Sequence, residues 1–228
     1  MLQRVVQLAP MDMSARSRLI DQLISRGQVD DAIREYIELA DIYYRLADLD
    51  MARKTFTTAL RVVQQHNVDR SWNFHILQRM ADIDMQRLDW KQAIRVYEQI
   101  RTLRPDDEAT RKSLIDLNFK LGQPAQANAE IESYLSYLQS SNRDAQIVPF
   151  LEEVLNERPS DMLVKRALAQ AYQQAGRVED AVAQLDTVAD TLLSVGKKEE
   201  AMMIVNQILL LNPPNSEQYR QLLSQIQQ

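Results

Sequence analysis

Two histidines, no cysteine and a scatter of aspartate pairs are what this chain offers to chemistry. The cysteine count excludes a thiolate nucleophile and a disulfide framework. A histidine works as a general base, or activates a nucleophile, only with an orienting carboxylate and a reacting group in reach. Neither His66, in a polar stretch, nor His75, at the start of an apolar-periodic run, has such a pattern around it, and both read as surface histidines. The pairs Asp48/Asp50, Asp82/Asp84 and Asp106/Asp107 supply carboxylates of the kind a metal takes. A calcium loop also needs oxygen ligands at alternating positions and a glycine at its bend. None of the pairs has these, so they are expected to be helix caps and solvated helix ends. With 4 glycines in 228 residues, there is no glycine-rich phosphate loop. The chain is therefore read as a non-enzyme with no cofactor and no metal.

One pattern is suited to binding rather than catalysis. Polar residues recur at a spacing of four in Ser17/Asp21/Ser25, Gln78/Asp82/Gln86, Lys112/Asp116/Lys120 and Arg166/Gln170/Gln174. That spacing puts each trio on one side of a helix. A solvated face is the plain reading of such a trio, and a binding face is the functional one.

The elements that must carry these faces come from a repeat. A small or turn-forming residue is followed by alanine five places on and a bulky apolar residue nine places on. This holds for Gly27/Ala32/Tyr36, Ala47/Ala52/Phe56, Leu88/Ala93/Tyr97, Gly122/Ala127/Ile131, Gly176/Ala181/Leu185 and Gly196/Ala201/Val205, with Asn142/Ile147/Leu151 as a degraded copy. Glycine or asparagine takes the left-handed conformation that stops a helix. The alanine lets two helix backbones approach, and the bulky residue fills the groove between them. The turn marks at 27, 47, 88, 122, 142, 176 and 196 lie 20, 41, 34, 20, 34 and 20 residues apart. Pro105, Pro159 and Pro213 are 54 apart and punctuate between units. The 41-residue interval places an insert near Gln64–Ser71. The resulting helices are expected at 12–26, 29–46, 49–65, 71–87, 90–103, 107–121, 124–140, 144–157, 161–175, 178–195, 198–211 and 215–227. Pro149 is expected to kink or delay its helix. No segment alternates with period two, so no strand is expected.

With its 34-residue helix-turn-helix unit, the alanine, the aromatic four places after it and the closing proline, the chain resembles the tetratricopeptide-repeat (TPR) family. The cleanest copy is Phe74 to Asp107, with Met80-Ala81, Asp89 to Ala93, Tyr97 and Pro105. The resemblance implies an all-α fold, a right-handed α-solenoid of antiparallel helix pairs. Where marks lie 20 apart, one helix serves two repeats, which gives three-helix 54-residue units. A single domain over 1–228 is expected, with units at about 11–64, 72–105, 106–159 and 160–213 and a capping helix at 215–228. The resemblance further implies a concave groove lined by Gln78, Asp82, Gln86, Lys112, Asp116, Lys120, Arg166, Gln170 and Gln174. That groove would hold a peptide or protein partner. Its mixed sign suits a partner segment with acidic and apolar residues. The family's carboxylate clamp is not expected, because Asp21, Asp82 and Asp116 stand where it needs donors.

Lys and Arg number 27 against 32 Asp and Glu, a net charge of −5, which does not suit non-specific binding to nucleic acid. The longest apolar run is far short of the ~18 residues of a membrane span, so no membrane partner is expected. With no signal-peptide pattern, a cytoplasmic chain is expected. Met1–Pro10 matches the ends of later units, 98–105 and 205–213, so the chain reads as a segment of a longer protein. The expected function is a non-catalytic interaction scaffold. The alternative is a self-association or regulatory module, a peptide or ligand sensor among them, with open solenoid ends that pair copies of the chain.

Overall fold

The computed structural model describes residues 2–66 and 68–226. Among these residues it is all-α. Its helices are α1 (Leu2–Leu8), α2 (Met13–Ser25), α3 (Val29–Arg45), α4 (Leu49–Gln65), α5 (Ser71–Gln86), α6 (Trp90–Leu103) and α7 (Glu108–Lys120). They continue as α8 (Pro124–Ser140), α9 (Ile147–Glu157), α10 (Met162–Gln174), α11 (Val178–Ser194), α12 (Lys198–Leu210) and α13 (Ser216–Ile226). These are TPR-like helix pairs joined by short turns.

Each boundary has a local chemical cause. Asp12, Asp48, Asp89, Asp107 and Asp161 cap the starts of α2, α4, α6, α7 and α10, their carboxylates accepting from the backbone N–H of Ala15 (2.9 Å), Met51 (3.1 Å), Gln92 (3.3 Å), Thr110 (3.1 Å) and Leu163 (2.9 Å). Such caps satisfy helix donors that have no partner within the helix. At the ends, all seven turn marks have positive φ: Gly27, Gly122, Gly176, Gly196, Ala47, Leu88 and Asn142. Each closes its helix with the same pair of backbone bonds. In the first, Gln28 N–H donates to the Leu23 carbonyl and Gly27 N–H to that of Ile24. In the third, Asp89 donates to Asp84 and Leu88 to Met85. This pair of hydrogen bonds is the Schellman closure. Leu88 adopts it at φ 57° without the freedom of glycine.

The repeat alanines Ala32, Ala52, Ala93, Ala127, Ala181 and Ala201 are all fully buried. Adding 54 to the bounds of α7 and α8 gives the bounds of α10 and α11. The third helix departs from that frame: a 3-10 turn, Asp144–Gln146, takes its first turn, and α9 starts with Pro149 in its own first turn. Proline is tolerated there because its missing donor has no helical partner. The expected insert falls between α4 and α5, and its Asn67 lies outside the described residues.

The chain forms two compact units, one up to Ile131 and one from Glu132, dividing within α8. In the first, each helix packs on the next, and Phe56, Ile76, Ile83, Val96 and Ile100 lie in one continuous core. Val6 of α1 packs with Ala15, Leu19, Leu23 and Ala32, while Val5 and Leu8 on the same helix are exposed. In the second, Tyr134 of α8 meets Phe150 of α9 edge to face at 4.8 Å, and Leu168, Leu185, Val188, Val205 and Ile208 continue the core.

A charged device recurs in the first unit. Arg16 pairs with Glu35 and donates to the Pro10 carbonyl at 3.2 Å. Arg111 pairs with Glu130 at 2.6 Å and donates to the Pro105 carbonyl at 3.1 Å. The arginine follows its proline by six residues and precedes its glutamate by nineteen in both cases. It fastens the chain entering a helix to the helix that follows.

Candidate functional site

α5 presents a polar stripe whose members divide between two neighbours. Trp72, Arg79 and Gln86, seven residues apart, turn to α3. The Trp72 indole N–H donates to Asp30 at 2.9 Å, and the Arg34 guanidinium lies 6.0 Å from the ring centroid. Arg79 pairs with Asp41 at 2.5 Å and lies 5.0 Å over the Tyr44 ring, and Gln86 donates to the Tyr44 hydroxyl. These contacts close the seam between α3 and α5.

Towards α7 the seam is open. His75, Gln78 and Asp82 of α5 face Ala109, Thr110 and Ser113 of α7 across a cleft of about 320 Å³. Tyr97 and Ile100 of α6 form its floor. Tyr97 is hydrogen-bonded to Ser113, while burial and the charges of Asp82 and Asp107 push its phenol up. Asp82 is also raised, by desolvation among its neighbours, with Arg79 at 3.8 Å pulling the other way.

The structure thus brings two of the nine expected groove residues, Gln78 and Asp82, into one cleft. Gln86 belongs to the α3 seam, because three residues spaced by four turn through about 80° of the helix surface at 3.6 residues per turn. On α7, Lys112 pairs with Glu108 at 2.6 Å and Lys120 with Asp116 at 2.6 Å, so both cations are offset along their own helix. In the second unit, Gln170 and Gln174 line a smaller cleft of about 190 Å³ against Leu135, Ser136 and Gln139, while Arg166 is exposed on α10. A larger cleft there, about 560 Å³, lies between the start of α9 and the end of α10, walled by Val148, Pro149, Ala171 and Ala175. It adjoins Tyr172, which donates to Glu152 at 2.6 Å beneath the Arg177 guanidinium.

Sequence reasoning missed His75, Arg79, Tyr97, Asp107 and Ser113 as cleft residues. The seven-residue recurrence of Trp72, Arg79 and Gln86 was the signal available for α5. Of the aspartate pairs, Asp48 and Asp107 are caps, and Asp50 pairs with Arg87 at 2.9 Å. Asp84 is neither a cap nor a solvated end. It is 1% exposed and accepts from Arg53 Nε at 2.9 and 3.1 Å, tying α4 to α5. Among the described residues, no group of three or more His, Cys, Asp or Glu side chains is placed to hold a metal ion. No described helix is long and apolar enough to cross a membrane.

No curated protein matches the chain in sequence. Solved structures that are similar include BtubC from P. vanneervenii, at 13% identity over 99% of this chain and 91% of that one with a TM-score of 0.43. A tetratricopeptide repeat protein from Parabacteroides merdae has 14% identity over 95% and 99%, with a TM-score of 0.37. YrrB, described as a TPR protein with an unusual peptide-binding site, has 14% identity over 86% and 93%, with a TM-score of 0.38. The family model described as soluble NSF attachment protein, SNAP, matches residues 11–145, more than half of the chain.

Proposed function

The chain belongs to the soluble NSF attachment protein (SNAP) family, and from that premise we propose that it is a non-catalytic protein-interaction scaffold. The family's name describes attachment to another protein. In this chain the proposed site is the face made by α3, α5 and α7, with Gln78 and Asp82 in its cleft and Gln86, Lys112, Asp116 and Lys120 beside it. Arg166, Gln170 and Gln174 are proposed as a separate contact surface on the second unit. The observation that carries the reading is the contrast between two seams: α3 and α5 are tied by side chains, while α5 and α7 leave a cleft open. A helical array with an open seam offers an extended segment a preformed place to lie.

Photo-crosslinking tests this. A crosslinking residue at Gln78 should capture a partner protein, and the same residue at Gln99, exposed on α6, should not. Capture from Gln99 alone would move the binding surface off this face.

Exposed apolar side chains at Val5, Leu8 and Met11 favour a second reading, pairing of two copies through the α1 end. Light scattering over a concentration series distinguishes them: the scaffold reading expects a constant monomer mass, and the pairing reading a mass that rises towards a dimer.

A further inference from the structure

The cleft between α5 and α7 has room for one long side chain and an unbalanced charge. Asp82 and Asp107 contribute carboxylates to it, and among the described residues that line it Arg79 is the one arginine or lysine. That guanidinium is turned to the α3 side, 2.5 Å from Asp41 and over Tyr44, and reaches Asp82 only at 3.8 Å. Asp107 commits one oxygen, Oδ2, to the α7 cap, accepting there from the Thr110 N–H at 3.1 Å and its hydroxyl at 2.5 Å. Asp82 makes no comparable bond. Asp82, Asp107 and the Tyr97 phenol on the floor all line this one cleft.

We propose that this cleft receives a single lysine or arginine side chain from an extended segment of a partner protein. The inference rests on the scaffold reading and adds the chemistry of the anchor. A glutamate entering the cleft would meet Asp82 and Asp107 as like charges. A neutral apolar side chain would strip water from Asp82 and give nothing back. A lysine or arginine lays its methylenes along the Tyr97 ring and delivers its charge to Asp82, as long cationic side chains do on amphipathic surfaces. The charge also sets register, because Asp82 marks one place along the face. The preference is the reverse of the acidic partner segment that Lys112, Lys120 and Arg166 suggest from sequence. Two of those cations are already paired along α7.

The test uses the ¹⁵N-labelled 228-residue chain and four probes: the N-acetyl methylamides of lysine, arginine, norleucine and glutamate. Titrating lysine or arginine should give saturable shifts at the backbone amides of Asp82, Tyr97 and Ser113. Norleucine, lysine without its charge, should bind about fivefold more weakly, the worth of one partly exposed ion pair. Asp82→Asn should weaken lysine binding by a similar factor, and Asp82→Lys should abolish it and favour glutamate. Asp82 is exposed, so both variants should keep the wild-type melting temperature, which is measured alongside. Equal or tighter binding of norleucine or glutamate overturns the basic anchor but leaves a binding cleft, and so leaves the scaffold reading standing. No shift from any probe overturns the anchor. The scaffold reading is then judged by capture from Gln78, which does not depend on the anchor's charge.

Discussion

Leu88 shows at the scale of one residue how the turn geometry overrides side-chain preference. Its φ of 57° is imposed by the two closing bonds of α5, and its side chain is 70% exposed, so it gains little from packing. A non-glycine residue in the left-handed region costs about 1–2 kcal/mol, against about 0.5–1 kcal/mol of chain entropy for glycine. Leu88→Gly should therefore stabilise the protein by about 0.5 kcal/mol, and Leu88→Val should destabilise it, as read from urea denaturation midpoints. Two tyrosines give a second readout. Tyr172 and Tyr219 are both pushed up to about 12, first by burial and then by donating to Glu152 and Asp186. A phenol raised in the folded state holds its proton after the unfolded chain has released it at the ordinary value of 10.0. The stability this gives is complete below pH 10 and is lost as pH rises towards 12. Absorbance titration of the phenolates should lose one late-titrating group in each of Tyr172→Phe and Tyr219→Phe.

At the scale of elements, the proline–arginine–glutamate device fastens consecutive helices. Glu130 accepts from Arg111, which is buried, and from Arg101 on α6. Removing the carboxylate takes from the buried Arg111 guanidinium its 2.6 Å ion-pair partner on α8. Glu130→Ala is expected to cost more in chemical denaturation than loss of an exposed pair such as Arg34 with Asp31, which is worth about 0–1 kcal/mol. A double-mutant cycle with Arg111→Ala should show losses that are not additive, because the two side chains are in direct contact.

At the scale of the molecule, the first unit is built mostly from contacts between helices adjacent in sequence. Stability in such an array is close to a sum of nearest-neighbour terms. Glu35→Ala, which frees Arg16 between α2 and α3, should speed amide hydrogen exchange in those two helices and leave α5 and α6 at their wild-type protection. Uniform loss of protection across the unit would instead mean that it opens as one cooperative body.

The helices, their ends and the residues that let them touch were legible in the sequence because each is decided within a few residues. Aspartate caps, left-handed turn marks and buried alanines are local requirements repeated in every copy, and the observed helix bounds follow them closely except at α9, where Pro149 and the 3-10 turn delay the start. The site was legible only in part. Spacing by four identified Gln78 and Asp82 as neighbours on α5, but helical period describes one helix at a time. Which polar faces meet depends on α3 and α5 coming together across the intervening α4, and on α5 and α7 standing apart over α6. That arrangement ties Trp72 to Asp30, 42 residues away, sends Arg79 to Asp41, and leaves Asp82 facing an open cleft. Charge on the α7 lysines was likewise visible in sequence, but the conformations that pair Lys112 with Glu108 and Lys120 with Asp116 are set by packing in three dimensions.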